Sequence, residues 1–167
     1  MLSVIAGAML FTVSLYVGAG IRAYHRTRRK LFEELLSFNR IFGEEINYLK
    51  TPVRQIVKDF ISDKNGELCK ILTTFLTVLE KEVIYTADKI VAEIKNPYIK
   101  KEENKLIAEY LNTLGKSDAA TQMVSIKHYG IKFEEAFSKA KEDAKVIGEL
   151  SYKLGILIGI ALMIIVV

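Results

Sequence analysis

Residues 118–167 read DAATQMVSIKHYGIKFEEAFSKAKEDAKVIGELSYKLGILIGIALMIIVV, and their patterning decides the fold. Met123, Ile126, Gly130, Phe133, Phe137, Ala140, Ala144 and Ile147 follow one another at spacings of 3-4-3-4-3-4-3, which is a heptad seam. The seam is either the core of a bundle, the simpler assignment, or an intermolecular coiled-coil contact. The same helix then loses all charge: residues 154–167 carry none, and ten of them are Leu, Ile or Val. This end is predicted to be a C-terminal transmembrane helix. Its 14 residues reach only about 21 Å, against a hydrocarbon core of about 30 Å. Lys153 can snorkel, Tyr152 can mark the interface and the bilayer can thin. A hydrophobic helix end buried in a partner protein is the competing reading. Gly155 and Gly159 form a small-xxx-small face that admits close approach of another membrane helix.

The other end of the chain mirrors this one. Residues 1–21 are uncharged and reach roughly 32 Å as a helix. A cleaved signal places its charge before the apolar core; here only Met1-Leu2-Ser3 precede it and the arginines follow. The segment therefore reads as a retained transmembrane helix with its N-terminus outside, against the alternative of a core helix in a soluble protein. Tyr16 and Tyr24 are expected near the inner interface.

All 24 Lys+Arg and all 20 Asp+Glu fall within residues 22–153. That partition excludes a simple soluble globule, a disordered chain and a disulfide scaffold. Arg22, Arg26, Arg28, Arg29 and Lys30 form a basic flank without an acid, and the remainder carries 19 basic against 20 acidic groups. The flank sets topology, and Lys139, Lys141, Lys145 and Lys153 before the second span agree with it, so residues 22–153 are expected to face the cytoplasm. It can also attract anionic lipid, at about 1 kcal/mol per basic residue. This placement accounts for a pI of 9.0 without a nucleic-acid partner. Cys69 is the single cysteine; it cannot close an internal disulfide and is read as a core filler.

The middle has five Gly and two Pro and apolar residues at helical spacing throughout. A first helix continues out of the membrane through Leu31, Leu35, Phe38, Phe42, Ile46 and Leu49 until Pro52 breaks it, with Thr51 placed to cap the next. The second holds Val53, Ile56, Val57, Phe60 and Ile61 and ends around Asp63-Lys64-Asn65-Gly66. The third holds Leu68, Ile71, Leu72, Phe75, Leu76 and Leu79. A fourth spans Val83 to Ile94 and stops at Asn96-Pro97. A fifth runs from Glu102 to Leu114, ending at Gly115. The expectation is an all-α, six-helix antiparallel bundle with N- and C-terminal transmembrane helices: residues 1–21, a cytoplasmic bundle over 22–153, and residues 154–167.

Little in the chain points to chemistry. His25 and His128 lack metal-ligand spacing with any soft ligand, His25 belonging to the basic flank and His128 to an exposed face. Gly115-Lys116-Ser117 imitates the end of a P-loop, but Tyr110 stands where its first glycine belongs and a helix precedes it. Glu33/Glu34, Glu44/Glu45 and Glu134/Glu135 are neighbours that diverge by about 100° on a helix, so none is an acid/base couple. Glu135–Lys139 and Glu149–Lys153 read as i,i+4 surface pairs. No enzyme, cofactor, metal or small-molecule substrate is expected.

Three further patterns occur in order: Glu45-Ile46-x-Tyr48-x-x-Thr51-Pro52, then Leu114-Gly115-x-x-Asp118-x-x-x-Gln122-x-x-x-Ile126-Lys127, then Leu154-Gly155-x-x-x-Gly159. Together with the two apolar ends, the chain resembles the stage III sporulation protein AB family from end to end. The Leu-Gly-x-x-Asp-x-x-x-Gln stretch is the most specific part, and the first span departs by lacking Trp. The resemblance implies a mother-cell protein of endospore formers, on the mother-cell side of the outer forespore membrane. There it would belong to the channel, or secretion-like complex, linking mother cell and forespore. It implies a cytoplasmic bundle similar to the platform domains of type II secretion and type IV pilus machines. It also implies docking of a cytoplasmic ATPase, stage III sporulation protein AA, among other proteins of that complex. Glu45, Tyr48, Thr51, Pro52, Gly115, Asp118 and Gln122 match the family pattern, as contact surface or as caps and intrabundle bonds. The alternative function is a membrane-tethered coiled-coil scaffold or regulator that binds another helical partner.

Overall fold

The computed structural model describes residues 2–62, 64–81 and 86–166, all of whose regular elements are helices. Helix α1 covers Leu2–Glu44 and widens into a π-helical turn over Glu45–Leu49. Lys50 then turns left-handed, at φ 53°, ahead of Pro52, which has no N–H to extend a helix. Helix α2 covers Val53–Ser62 and buries Ile56, Val57 and Phe60. Its first turn closes on the Pro52 carbonyl, which accepts from the Gln55 and Ile56 amides. Helix α3 covers Glu67–Lys81 and α4 covers Ala87–Glu93. The expected start of α4 at Val83, and Asp63 in the preceding loop, lie outside the described residues. Helix α5 covers Lys101–Thr113, and its opening is fixed by the Lys100 amide donating to the Glu103 carboxylate at 2.8 Å. Helix α6 covers Ala119–Asp143, passes through a π-helical turn at Ala144–Gly148 and continues as α7 over Glu149–Val166. Counting each continuous run once, the described residues form the expected all-α structure of six helices, with two long apolar helices towards its ends.

These helices divide into two compact units. Unit 1 is Met1–Arg29 with Ser138–Val167, and unit 2 is Lys30–Phe137.

Unit 2 is held by a conventional aromatic core. In it α2 pairs with α3 and α4 with α5. Helices α1 and α6 run antiparallel: Gly43 lies against Met123 and Ile126, while Asn39 lies against Gly130 and donates to the Ile126 carbonyl at 3.1 Å. Phe38 meets Phe60 edge-on at 5.0 Å, and Tyr110 meets Phe133 edge-on at 5.0 Å, the favoured geometry for ring quadrupoles. Burial pushes the Tyr110 phenol pKa up, keeping it neutral. Cys69 is buried in the core, as expected of a small hydrophobe.

Unit 1 reverses that pattern. Helices α1 and α7 pair antiparallel through small residues, and their large side chains point outward. A Cβ on Gly155 would stand 2.9 Å from the Ser14 carbonyl oxygen, and one on Gly18 would stand 2.9 Å from the Ser151 carbonyl oxygen. The Ser14 hydroxyl donates to the Gly155 carbonyl at 2.7 Å. Val13, Val17, Leu157, Ile158, Ile164 and Ile165 are all exposed. Gly155 and Gly159 are the two residues of α7 that are buried, and the helix they admit is the chain's own α1.

Three local expectations change. The seam holds through Ile126, Phe133, Ala140 and Ala144, which are buried, but Ile147 is 44% exposed and Gly148 is buried in its place. The extra residue of the π turn advances the seam by one position. Thr51 does not show the expected cap bond to α2; its hydroxyl donates to the Glu45 carboxylate at 2.7 Å. Glu149 pairs with Arg22 and Arg26 rather than with Lys153.

The glycine contact in unit 1 gives a direct test. Gly155→Val should lower the thermal stability of the full chain in detergent micelles by about 1–3 kcal/mol, because backbone must move to admit the side chain. Gly20, which has nothing within 4 Å of a built Cβ, should accept alanine with a change of less than about 1 kcal/mol.

Candidate functional site

Two turns in unit 2 carry the residues singled out by sequence. The first is the corner between α1 and α2. Glu45 and Thr51 tie its two sides through their 2.7 Å bond, and Pro52 receives the first amides of α2. Between them the chain passes through the π turn and the left-handed Lys50. A non-glycine residue in that conformation is uncommon and costs of order 1 kcal/mol. The corner pushes Tyr48 and Leu49 outward, 77% and 68% exposed. Leu49 was expected on the buried face of the first helix; the wider winding of the π turn rotates it off that face.

The second turn joins α5 to α6. Gly115 is left-handed at φ 75°, as a helix stop requires. Gln122, 1% exposed, clasps this turn: its Nε2 donates to the Thr113 carbonyl at 2.8 Å, and its Oε1 accepts from the Gly115 amide at 2.9 Å. The Asp118 carboxylate accepts from the Ala120 amide at 3.2 Å and the Thr121 amide at 3.3 Å, capping α6. The Thr121 hydroxyl and these amides hold the Asp118 carboxyl below the usual carboxylate range.

The two turns touch. A Cβ on Gly115 would stand 2.6 Å from Val53 Cγ2, so the glycine is required by the approach of α2 as well as by its own backbone. Glu45, Tyr48, Thr51 and Pro52 therefore share one end of unit 2 with Gly115, Asp118 and Gln122. Their roles differ. Gln122, Gly115 and Asp118 build the turn, Thr51 and Glu45 brace the corner, and Tyr48 makes neither kind of contact but stands exposed.

Beside the corner lies a groove of 220 Å³ lined by Ile41, Glu45, Ile56, Asp59, Phe60 and Lys64. The Lys64 ammonium stands 3.8 Å from the centroid of the Phe60 ring. An apolar floor with a charged rim next to two exposed hydrophobes is how protein contact sites are composed. Sequence reading missed this groove and the outward Leu49, because its floor uses residues whose helical spacing reads as core. Among the described residues no group of three His, Cys, Asp or Glu side chains gathers as a metal site.

The basic flank belongs chiefly to unit 1. Arg22 and Arg26 both reach Glu149 Oε1, at 3.0 and 3.4 Å. The Arg22 guanidinium also lies 4.8 Å from the centroid of the Tyr152 ring. Arg28 is buried, 2% exposed, and pairs with Asp143 at 2.7 Å. Arg29 is exposed. Lys30, in unit 2, stands 3.7 Å from Glu34.

The family model of stage III sporulation protein AB matches residues 3–167. The chain belongs to that family. Membership gives it a role in sporulation, and its two apolar helices are compatible with a membrane protein of that process. No curated protein and no solved structure matches the chain.

The division between building and exposed residues is testable in this family member. Gln122→Ala removes both bonds of the clasp and should lower stability by about 1–3 kcal/mol, since each bond of this buried side chain contributes about 0.5–1.5 kcal/mol. Tyr48→Ala should change stability by less than about 0.5 kcal/mol. Denaturant unfolding of the full chain in detergent measures both. The Asp118 cap contributes fully above the ordinary carboxylate pKa and is lost as pH falls through the lowered folded value. Asp118→Ala should accordingly flatten the acid limb of the stability–pH curve.

Proposed function

We propose that the chain is a non-enzymatic membrane platform of the sporulation channel. In this reading residues 1–21 and 154–167 cross the outer forespore membrane, and residues 22–153 stand in the mother-cell cytoplasm. The observation that carries it is the inverted burial of unit 1, whose glycines are inside and whose Val, Leu and Ile side chains are outside. Contiguous apolar surface of that kind is unfavourable in water and favourable in lipid. The basic flank supports a cytoplasmic middle.

The platform docks a cytoplasmic ATPase of the same complex, stage III sporulation protein AA, through the corner at Tyr48 and Leu49 and the adjoining groove. Support comes from three features within six residues: a π turn, a left-handed lysine and two exposed hydrophobes. π turns recur at functional sites, and exposed aromatic anchors dominate binding energies.

A tethered scaffold that binds another helical partner is the second reading. The heptad seam faces inward in this chain, so such a partner would use the outer face of α6, where Val124 and Ile131 are exposed one heptad apart.

Titration of the full chain in micelles with the cognate ATPase separates the two. Tyr48→Ala should weaken binding about tenfold or more, equivalent to about 1.4 kcal/mol, while Ile131→Ala leaves it unchanged. Loss of binding only in Ile131→Ala would favour the scaffold. Protease added outside intact spheroplasts should leave residues 22–153 uncut, and their digestion would overturn the topology.

A further inference from the structure

Pairing within unit 1 leaves an organised surplus of positive charge that topology alone does not require. Unit 1 contains eight basic residues, at 22, 26, 28, 29, 139, 141, 145 and 153, against three acids, at 142, 143 and 149. Unit 2 carries the remaining 16 basic and 17 acidic residues. The whole net charge of the chain thus resides in the unit with the apolar exterior.

The surplus is also gathered on one face. Lys141, Lys145, Glu149 and Lys153 recur every fourth residue along the continuous α6–α7 helix, which stacks them as a stripe. Arg22 and Arg26, one turn apart on α1, both converge on Glu149 from the facing helix. Their hydrogen bonds and charge hold the Glu149 carboxyl below its usual range, so it stays ionised. One carboxylate between two guanidiniums and two lysines leaves most of that charge unanswered. Lys145 and Lys153 are exposed and make no ion pair among the described residues. Asp143 is committed to Arg28, and Glu142, beside Lys141, points about 100° away from the stripe.

Leu150, Leu154 and Leu157 are exposed on the same helix, directly beside this cluster. A ligand that fits must present an anion next to an apolar chain. We propose that Arg22, Arg26, Lys145 and Lys153, arranged around Glu149, form a binding site for the headgroup of an anionic phospholipid. The proposal rests on the membrane reading above. Lys153 stands at the boundary of the apolar segment, where headgroup phosphates lie. Lys145 stands about 12 Å further along the axis, close to the Debye length of about 10 Å at 0.1 M salt, and Lys141 about 18 Å, well beyond it. A nucleic acid or an acidic protein would have no use for the adjoining leucines.

The experiment uses the full chain in detergent, incubated with an equal mixture of phosphatidylcholine and phosphatidylglycerol, repurified, and its retained lipid quantified by mass spectrometry. The retained ratio of phosphatidylglycerol to phosphatidylcholine should exceed the supplied ratio roughly tenfold, and this enrichment should fall to under about threefold in the Lys145→Gln/Lys153→Gln double variant. Lys141→Gln should stay near the wild-type ratio, because its charge lies too far from the headgroups. Equal retention of the two lipids by the wild-type chain would overturn the proposal. So would undiminished enrichment in the double variant with a matching circular-dichroism spectrum. If the chain stayed soluble without detergent and retained neither lipid, the membrane reading itself would fall, and the site with it.

Discussion

The close approach of α1 and α7 at Gly18, Gly155 and Gly159 is the constraint from which the rest of unit 1 follows. In lipid no hydrophobic force draws two apolar helices together, so pairing depends on backbone proximity and on hydrogen bonds across the contact. The Ser14–Gly155 bond supplies one of these, and a Cβ at any of the three glycines would collide with the opposite helix. Small residues on the inside leave the outside to Val, Leu, Ile and Met. Beyond the apolar stretch the same two helices change currency, from glycine contacts to the Arg22–Glu149 and Arg28–Asp143 pairs. Arg28 is buried and its Asp143 partner mostly so. Losing Asp143 would take a carboxylate away from a buried guanidinium, which costs more than the pair contributes.

Most of the fold was legible in the sequence. Helical spacing of Leu31, Leu35, Phe38 and Phe42, of Ile56, Val57 and Phe60, and of Leu68, Leu72 and Phe75 marks faces that are all buried. Pro52 and Gly115 stop helices for the reasons their chemistry dictates. Both failures of the pattern, Leu49 and Ile147, occur at π turns. The residues of those turns, Glu45-Ile46-Asn47-Tyr48-Leu49 and Ala144-Lys145-Val146-Ile147-Gly148, are the same types that fill α-helices, so periodicity counted in fours passes through them unaware. Glu149 failed differently. Its i,i+4 lysine is a local partner that any sequence reader sees, whereas Arg22 and Arg26 arrive from a helix more than a hundred residues away.

The candidate site was only partly legible. Glu45, Tyr48, Thr51, Pro52, Gly115, Asp118 and Gln122 emerged from a pattern shared with a family, without any physical reason for keeping them together. The structure supplies one. Val53 packs on the bare backbone of Gly115, joining two turns that sequence places more than sixty positions apart. Gln122 illustrates why residue type alone misleads. A glutamine on a helix reads as surface, yet here both ends of its amide are satisfied by the turn that precedes its own helix, and burial becomes affordable. Tyr48 is the converse, a large ring that the backbone turns outward.

The two π turns show how one device serves opposite ends. Each adds a residue to a helical circuit, and such an addition is costly unless the displaced side chains gain something. At Ala144–Gly148 the gain is internal. The seam exchanges Ile147 for Gly148, which lies against the Arg22 backbone and the His25 side chain, and α7 continues from there on the small-residue register of Gly155 and Gly159. Without the extra residue, the heptad would carry a branched side chain into a contact where a Cβ alone would already meet its neighbours at 3.6 Å. At Glu45–Leu49 nothing internal is gained: the turn has no buried residue, and its effect is to remove Leu49 from the interior and set it beside Tyr48 in solvent. A single chain would not retain two large hydrophobes in water at the cost of a π turn and a left-handed lysine for the sake of its own stability. The corner is therefore consistent with the docking surface proposed above, whereas the second turn is explained by the packing it serves.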